Sequence, residues 1–576
     1  MDRRARGQGG FLKDHRTTDH IFILQHLIDK SYADKKPLYT CFVDLSKAFD
    51  TISRAKLWER LADLGIRGRM LDALKAYYDD VRECVKSGDG LTDYFKSSMG
   101  VKQGCPLSPT LFGLYIDAAE DFICSNLDGG GSVQIFSNKV PLLLYADDIV
   151  FLASSEQELQ KIMDIFSDFC YKYYLTVNLK KTQVVIFSKA RKAQTVNITY
   201  RGIPVPRIDK YTYLGIVFQE KFGAKFGGLQ MLAVAKRALF SLERKLRSEN
   251  ITAPSMIIQM FDSLIAPILL YGSEVWGCYT NNAEADVFYL GFLKKLFRVP
   301  KGTNSDIILA EAGRLSFHVK IWESQARYWE RLTNINDNTR IINMAFTENF
   351  MMEGMELDCW SKHSLKGLER LGMPLYPGSN SVSRSSISVK TVREVCTKKL
   401  TDSIKQPCKL AVTDHRDFYS HDSYVHAEGE RCRSYARWFW NNGRNEVMNM
   451  RDIQLRNELI RFRLGAHGLG VVRGAWDNTD RRNRICRCCR TGVIEDEVHM
   501  IFECSLYNNI RSRFRDLFSE WTIHSDEIMI TIAIDDPDNM MRFFFRQQNI
   551  YKVAKFIVAC RETKQGAGFI CPPHRQ

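Results

Sequence analysis

The chain has 576 residues, of which 45% are hydrophobic and 26% are charged, an ordinary composition for a globular protein with several domains. Its net charge of +14 favours a polyanionic partner, nucleic acid first and an anionic membrane surface second. No apolar run is long enough to span a bilayer, and the first residues lack the apolar region of a secretory signal, so we expect a nuclear or cytoplasmic protein that is not secreted. The 16 cysteines are scattered singly except for one cluster, which predicts reduced thiols and one metal site.

The first predicted element is a helix that follows a basic stretch. Apolar residues recur at helical spacing from Ile21 to Ile28, and residues 8–20 before them contain Lys13 and Arg16. On its residues alone, this stretch reads as the solvated basic start of a helix.

An apolar strand follows and ends at Asp44. Beyond Asp50, Ser53 is placed to cap a helix that Gly65 closes, and a second helix is predicted over residues 70–81. We expect both helices to serve packing and assign them no chemistry.

Residues 100–109 predict a turn that enters a helix. Ser108 suits the N-cap position and Pro109 the first helical position. Gly104 allows a close approach of the backbone to a substrate, and Gln103 can hydrogen-bond a template or a nucleotide. The alternative is an ordinary capped helix.

Residues 140–153 predict a β-hairpin with Asp147 and Asp148 at its turn. Two adjacent carboxylates between buried strands repel each other, and a divalent cation such as Mg²⁺ offsets that cost. Phosphoryl transfer with two metal ions needs carboxylates from separate strands, and Asp44 can supply the bridging ligand. The alternative is a surface turn that contains two aspartates.

Further helices and strands alternate up to about residue 222, which predicts an α+β domain. Ser155 and Glu158 form the pattern of a capping box, and the run that ends at Phe187 predicts a strand. From residue 223 the pattern is helical, and the basic segment 233–247 suits either the backbone of a nucleic-acid duplex or solvent.

The cysteine cluster predicts a structural zinc site. Cys486, Cys489, His499 and Cys504 supply three thiolates and one imidazole, while Cys488 is either spare or the true second ligand. Buried free thiols are the alternative. Five arginines surround the cluster and make a nucleic-acid-binding knuckle plausible: Arg481, Arg482, Arg484, Arg487 and Arg490.

The segments 40–50, 100–109 and 140–153 resemble, in this order, motifs A, B and C of a reverse transcriptase, specifically that of a non-LTR (LINE-type) retrotransposon. Residues 175–187 are similar to motif D, and Tyr211–Gly215 to the primer grip, motif E. The resemblance implies a right-hand polymerase with a palm, partial fingers, a helical thumb-like region and a C-terminal zinc-knuckle-like module. Because the family has fingers sequence upstream, we expect the chain to be N-terminally incomplete.

The resemblance also implies the catalytic residues. Asp44, Asp147 and Asp148 are expected to hold two Mg²⁺ ions. Lys181, with Lys180 as the alternative, is similar to the general acid that protonates the leaving pyrophosphate. Phe49 is similar to a steric gate that excludes a ribose 2′-OH, and core packing is its alternative role.

The remaining expected contacts are to the nucleotide and the template. Lys13 and Arg16 are similar to the basic residues that neutralise the incoming triphosphate, whereas Gln103, Gly104 and Tyr145 are expected at the nucleotide or the template.

The implied function is RNA-directed DNA polymerisation, in which dNTPs are added to a primer 3′-OH on an RNA template during target-primed reverse transcription. Two alternatives are a catalytically inactive remnant that only binds nucleic acid and an RNA-templated RNA polymerase. No nuclease is expected: residues 535–538 hint at one, but a catalytic partner motif is missing nearby.

The predicted domains follow these changes of pattern, with a Ser/Gly/Pro-rich linker at residues 370–390. They are partial fingers and palm, 1–222; helical thumb or connector, 223–350; linker and mixed helical region, 351–470; zinc-binding module, 471–520; and C-terminal helical tail, 521–576.

Overall fold

The computed structural model of the chain combines helices and strands. It describes residues 5–88, 90–127, 131, 133–190, 196–280, 282–372, 388–405, 435–439, 444–476, 479–519, 522–525, 528–531 and 537–568. Most of the predicted linker, 370–390, and half of segment 535–538 lie outside the described residues.

The strands of this part of the chain are short, and most pair with a neighbour in sequence. They are β1 (Leu38–Val43), β2 (Arg82–Glu83), β3 (Lys86–Ser87), β4 (Gly90–Leu91), β5 (Phe95–Lys96), β6 (Gln134–Ile135), β7 (Asn138–Lys139), β8 (Leu142–Tyr145), β9 (Asp148–Ala153), β10 (Gln183–Phe187), β11 (Thr199–Tyr200), β12 (Ile203–Pro204), β13 (Lys210–Tyr213), β14 (Ile216–Gln219), β15 (Thr522–Ser525) and β16 (Ile528–Thr531).

The α-helices carry most of the chain beyond residue 226. They are α1 (Thr17–Ala33), α2 (Arg54–Asp63), α3 (Arg69–Asp79), α4 (Ser108–Ile116), α5 (Ala118–Asn126), α6 (Glu156–Lys172), α7 (Gly227–Ser248), α8 (Pro254–Met260), α9 (Ala266–Leu270), α10 (Ser273–Trp276), α11 (Ala283–Leu296), α12 (Ser305–Ala312), α13 (Phe317–Thr333), α14 (Ile341–Gly354), α15 (Trp360–Arg370), α16 (Val389–Lys405), α17 (Arg444–Asn449), α18 (Ile453–Arg463), α19 (Gly470–Trp476), α20 (Asn508–Arg513), α21 (Asp516–Ser519), α22 (Pro537–Phe544) and α23 (Ile550–Gly566).

The chain divides into two compact units, and each unit is built from segments that are separate in the sequence. The first comprises residues 1–233, 270–281 and 321–389, and the second comprises residues 234–269, 282–320 and 390–576. The domain boundaries drawn from the sequence stay predictions.

The core of the first unit is an antiparallel sheet in the order β10-β1-β9-β8. One face of the sheet packs on the apolar sides of α2 to α6, through residues such as Phe151 and Phe166, whose ring centroids are 4.9 Å apart. The other face is also covered, since Phe42 stacks on Tyr211 at 4.2 Å. Burial on both faces explains why the strands read as nearly continuous apolar runs.

A later segment of the chain returns to this unit and secures α1. The guanidinium of Arg331, on α13, donates to Asp19 at 2.7 Å, and Tyr328 donates to the same carboxylate at 3.2 Å. On α14, Glu348 accepts hydrogen bonds of 2.7 Å from both His26 and Lys30 of α1. These contacts fix the helix that precedes the first strand of the sheet.

The second unit is mainly helical and contains a buried ion pair. The guanidinium of Arg463, on α18, donates to Glu311, on α12, at 2.7 and 2.9 Å, and both side chains are fully buried. The hydroxyl of Tyr435 donates to the same carboxylate at 2.7 Å. Glu311 therefore holds two distant segments of this unit together.

Among the described helices, no single one is long and apolar enough to cross a membrane; one bent pair, residues 254–270 with 273–279, passes that test by length and composition.

Candidate active site and metal centre

The end of the four-stranded sheet brings the predicted aspartates together. Strands β1 and β9 are antiparallel, and their last pair is Val43 with Ile149. One more step of this register places Asp44 opposite Asp148, on the same face of the sheet. Asp147 occupies the turn between β8 and β9, which confirms the predicted hairpin.

Asp44 is held from the segment that precedes β10. Its Oδ2 accepts a hydrogen bond of 3.0 Å from the side chain of Asn178, and the backbone N–H of Asn178 donates to the Asp44 carbonyl at 2.8 Å. The Nζ of Lys181 lies 3.4 Å from Asp44 Oδ1. Since the Lys181 side chain is 68% exposed, this ion pair contributes little to stability, and the ammonium group is free to move.

The aspartates repel one another, as the sequence predicted. Burial, followed by the charges of Asp147 and Asp44, raises the pKa of Asp148 to about 6, and the Lys181 charge opposes this effect in part. The pKa of Asp148 stays raised despite Lys181, so the negative charge of the three carboxylates is not fully compensated within the chain. The three oxygen donors therefore fit a hard divalent cation such as Mg²⁺.

The spacing of these aspartates differs from that of a single closed metal site. In the part of the chain that the structure describes, they do not form a set whose ligand atoms all lie within 4.8 Å of one another. Two ions in a phosphoryl-transfer site are themselves about 3.5–4 Å apart, so ligands for such a pair spread more widely than those of one ion.

Phe49 lies five residues beyond Asp44, in the turn that follows β1, and is half-buried. Its ring stacks on Phe112 with centroids 4.3 Å apart, and Phe11 meets it edge-on at 6.2 Å. Packing thus fixes the orientation of the ring, so that core packing and a steric gate are compatible roles for the same side chain.

Gln103 and Gly104 are both exposed. The amide nitrogen of Gln103 donates to Asp50 at 2.8 Å, a contact between the segments of motifs A and B that the sequence did not predict. Gly104 has a φ of +81°, and a Cβ atom there would meet open space. This glycine is needed for its backbone conformation, because L-residues rarely adopt that φ.

The predicted helix cap at Ser108 is wrong. The helix α4 begins at Ser108, its N-cap residue is Leu107, and Pro109 is the second helical residue. The Ser108 hydroxyl instead donates to the Lys102 carbonyl at 2.6 Å. Because Ser108 is already the first helical residue, its hydroxyl is not at the capping position and bonds the preceding turn instead.

The remaining candidate residues of the first site, Lys13, Arg16 and Tyr145, occupy two environments. Lys13 and Arg16 are exposed beside the start of α1, where charge is available to a ligand. Tyr145 is the last residue of β8, and its ring meets that of His20 edge-on at 5.5 Å. Burial raises the pKa of Tyr145, which keeps its hydroxyl protonated at neutral pH.

The cysteine cluster is a second candidate site, located in the second unit. The ligand atoms of Cys486, Cys489, His499 and Cys504 all lie within 4.8 Å of one another. The sulfur atoms of Cys486 and Cys504 are 3.8 Å apart, and that of Cys489 is 3.3 Å from His499 Nε2. Tetrahedral zinc with bonds of about 2.0–2.3 Å places its ligand atoms roughly 3.5–3.8 Å apart.

A carboxylate orients the imidazole of this cluster. The Nδ1 of His499 lies 3.0 Å from Glu503, which directs the lone pair of Nε2 toward Cys489. Burial raises the pKa of Cys489, but hydrogen bonds from Thr491 outweigh it and lower that pKa to about 6. A thiol that ionises at neutral pH is a competent metal ligand.

The structure assigns Cys488 to other neighbours. Its sulfur groups with Cys486 and Glu495, whereas Cys486 completes the four-residue set with Cys489. Arg484 is buried and donates to the carbonyls of Thr479 and Val471 at 2.9 Å each. Its predicted place on a nucleic-acid-binding surface is therefore wrong, while Arg482, Arg487 and Arg490 are exposed.

Sequence reasoning missed two supporting residues, Asn178 and Glu503. Asn178 lies in the motif D segment but carries no charge that would mark it as a partner of Asp44. Glu503 is four residues after His499, a spacing that places both on one side of a helical turn and that signals such a pair.

Comparison with known proteins bears on the first of the two sites. Residues 5–218 match the family "Reverse transcriptase (RNA-dependent DNA polymerase)". The RNA-directed DNA polymerase from mobile element jockey of Drosophila funebris is 24% identical over 339 residues, which are 56% of this chain and 35% of that protein.

Two further comparisons differ in weight. The Pol polyprotein from type-2 retrotransposable element R2DM of Drosophila melanogaster is 29% identical over 219 residues, 37% of this chain and 20% of that protein. This chain therefore spans well under half the length of these relatives. A solved telomerase from Candida tropicalis is 20% identical over 37% of this chain and 39% of that chain, with a TM-score of 0.28, too low to carry an argument.

Proposed function

We propose that this chain is an RNA-directed DNA polymerase of a non-LTR retrotransposon, because residues 5–218 match the reverse transcriptase family and the proteins similar to this chain include polymerases of mobile elements. In the proposed reaction a primer 3′-OH attacks the α-phosphate of a dNTP, a new phosphodiester bond forms, and pyrophosphate leaves. The observation that carries the proposal is the register of β1 with β9, which places Asp44 opposite Asp148 beside the turn that holds Asp147.

The three aspartates are the proposed ligands of two Mg²⁺ ions. Bound Mg²⁺ would activate the attacking hydroxyl and neutralise charge on the phosphates. The protein supplies the alignment: the sheet fixes Asp44 and Asp148, and Asn178 fixes the rotamer of Asp44 through its 3.0 Å hydrogen bond.

Lys181 is the proposed general acid toward the leaving pyrophosphate. Its exposed ammonium already reaches Asp44, so it lies at the edge of the carboxylate cluster. Phe49 is the proposed steric gate. It lies five residues beyond Asp44, and stacking on Phe112 holds its ring in place. Lys13 and Arg16 are proposed to meet the triphosphate, and Gln103, Gly104 and Tyr145 to line the path of nucleotide and template.

The proposed partners are an RNA template, a DNA primer or target and dNTPs, in target-primed reverse transcription. Residues 1–222 are proposed to form the partial fingers and the palm, and the basic helix α7 is the proposed thumb along the duplex backbone. Cys486, Cys489, His499 and Cys504 hold one structural Zn²⁺ in a knuckle-like module whose exposed arginines contact nucleic acid.

The test is primer extension on poly(rA)/oligo(dT) with Mg²⁺ and dTTP, with wild type compared with Asp147→Ala. Extension by the wild type that the variant lacks supports a polymerase on this chain. Absence of extension by pure, folded wild type contradicts the proposal and favours an inactive, nucleic-acid-binding remnant.

The same assay separates the two polymerase classes. A DNA polymerase with Phe49 as its gate uses dTTP and rejects UTP, whereas efficient use of UTP would favour an RNA-templated RNA polymerase.

A further inference from the structure

The turn that carries the catalytic aspartates contains a strained residue. Ala146 lies between the paired residues Tyr145 and Asp148 and has a φ of +60°. This left-handed conformation costs a non-glycine residue roughly 1–2 kcal/mol. Such a conformation persists when the surroundings hold it in place.

Gln8 supplies that restraint from a distant part of the sequence. Its side-chain oxygen accepts a hydrogen bond of 3.2 Å from the backbone N–H of Ala146 and one of 2.7 Å from the N–H of Gly10. The Gln8 residue is 2% exposed, so water does not compete for these donors. The strained peptide therefore has a buried partner.

The opposite end of the same amide is anchored on a helix boundary. The Gln8 nitrogen donates to Oδ1 of Asp117, between α4 and α5, at 3.2 Å, and Asp117 is 1% exposed. An amide is the side-chain group that donates to a carboxylate at one end and accepts from two N–H groups at the other. The arrangement thus requires glutamine in one fixed orientation.

The backbone around Gln8 extends the catalytic sheet. The N–H of Gly9 donates to the Leu144 carbonyl at 2.9 Å, and the N–H of Leu144 donates to the Gly7 carbonyl at 2.8 Å. A Cβ atom on Gly10 would lie 2.3 Å from the Ala146 nitrogen. The glycine therefore allows this segment to approach the turn closely.

From these contacts we propose that Gln8 is a positioning residue for the catalytic turn. Its amide joins Asp117 to the Ala146 peptide and thereby sets the direction in which Asp147 and Asp148 present their carboxylates. The proposal rests on the proposed polymerase function for its consequence in turnover, while the restraint on the turn is a property of the folded chain.

Gln8→Leu tests the proposal, and Gln25→Leu is its matched control. Gln25 is also a fully buried glutamine. Its amide donates to the Asp29 carboxylate and accepts from the backbone N–H of Ala224, at 2.7 Å each, but it does not contact the aspartate turn. The two variants lose similar buried hydrogen bonds. The intended difference between them is therefore the location of these bonds relative to the aspartate turn.

Three readouts follow both variants: hydrogen exchange in residues 142–150, Mn²⁺ binding by electron paramagnetic resonance, and steady-state primer extension. For Gln8→Leu we expect exchange at the turn about tenfold faster, Mn²⁺ affinity about tenfold weaker, and kcat lower by about tenfold or more with KM for dTTP nearly unchanged. Gln25→Leu should leave all three readouts near wild type.

Unchanged exchange and Mn²⁺ affinity in folded Gln8→Leu would overturn the proposal. Both readouts are independent of turnover, so they still decide the matter if the wild type fails to extend a primer. Should Gln8→Leu not fold, Gln8→Met replaces it: this variant keeps the approximate length of the side chain but removes both the donor and the acceptor, and normal Mn²⁺ affinity in it would contradict the proposal.

Discussion

The carboxylate cluster and the cysteine–histidine cluster are both candidate metal sites, but the chain assembles them in opposite ways. Asp44 and Asp148 come from distant parts of the sequence and meet through the pairing of β1 with β9. Cys486, Cys489, His499 and Cys504 come from one short segment whose turns bring them together. The first site depends on the folded sheet, whereas a metal ion bound by the second would stabilise the fold of its own segment.

The two clusters also differ in the free-energy cost of holding their side chains together when no metal ion is bound. Three carboxylates repel one another and raise the pKa of Asp148, so the sheet holds them at a cost. Thiols are uncharged when protonated, and two of these, Cys486 and Cys504, are buried like ordinary apolar groups. The carboxylate cluster is thus held against electrostatic repulsion by the surrounding sheet, whereas the buried thiols of Cys486 and Cys504 carry no such repulsion when protonated.

The largest expected effect separates catalysis from stability. Asp147→Asn should reduce primer extension by at least about 1000-fold, equivalent to about 4 kcal/mol of transition-state stabilisation. The reason is that a neutral amide replaces a carboxylate, so the site loses both a ligand oxygen and a negative charge. Single-turnover extension with dTTP measures it, and zinc content should stay at the wild-type value.

Asp63→Asn, on the exposed end of α2, is the matched control for that change and should extend primers like the wild type. Equal activity of Asp147→Asn and wild type would mean that the carboxylate cluster is not the catalytic site.

The next effect concerns the second cluster. Cys486→Ser should lower zinc affinity by about 100-fold or more, because the loss of a direct ligand exceeds the loss of a supporting partner. Zinc content after dialysis and binding of a single-stranded RNA should both decrease, as measured by mass spectrometry and fluorescence anisotropy.

Cys488→Ser distinguishes the four-residue set from its alternative. Since Cys488 lies outside that set, this variant should retain one zinc ion per chain. Loss of zinc in Cys488→Ser with retention in Cys486→Ser would reverse the ligand assignment.

A third prediction concerns selectivity at the first cluster. Phe49→Ala should reduce the preference for dTTP over UTP by about 20-fold, because the smaller side chain leaves space for a 2′-OH. The ratio of kcat/KM for the two nucleotides measures it. Phe49→Tyr retains the bulk of the ring and should retain the preference; a preference unchanged in Phe49→Ala would leave core packing as the role of this residue.

The smallest effects contrast two kinds of carboxylate. Burial alone raises the pKa of Glu348, but hydrogen bonds from His26 and Lys30 outweigh it and lower that pKa from 4.5 to about 2. Its contribution to stability is therefore present above pH 4.5 and lost as the pH falls toward 2. Glu348→Gln should lower the free energy of unfolding at pH 7 by about 1.5 kcal/mol, as measured by urea titration.

When divalent cations are absent, Asp148→Asn should raise the free energy of unfolding, whereas Glu348→Gln lowers it. The pKa of Asp148 is raised from 3.8 to about 6, so the wild type loses stability as the pH rises through this range. The variant lacks that loss and should be more stable than wild type at pH 7 in EDTA. A destabilised Asp148→Asn protein would show that the repulsion is already relieved within the chain.

Local pattern in the sequence was sufficient for several of the elements around the two candidate sites. Alternating apolar and turn residues predicted the hairpin around Asp147, and the cysteine spacing predicted the four side chains that the structure groups together. Two local predictions were wrong because the sequence pattern does not show tertiary contacts. Ser108 bonds the Lys102 carbonyl instead of capping α4, and Arg484 is buried instead of facing a nucleic acid.

What the sequence by itself determined was the chemistry of each segment, because carboxylates, thiols and apolar periodicity have the same meaning in any fold. Tertiary structure alone decided which of these groups meet. Asn178 reaches Asp44, Gln103 reaches Asp50, and Gln8 reaches the peptide of Ala146. These are neutral amides, whose hydrogen bonds depend on position rather than on charge or spacing, so their partners exist only once the sheet and its neighbouring segments have packed.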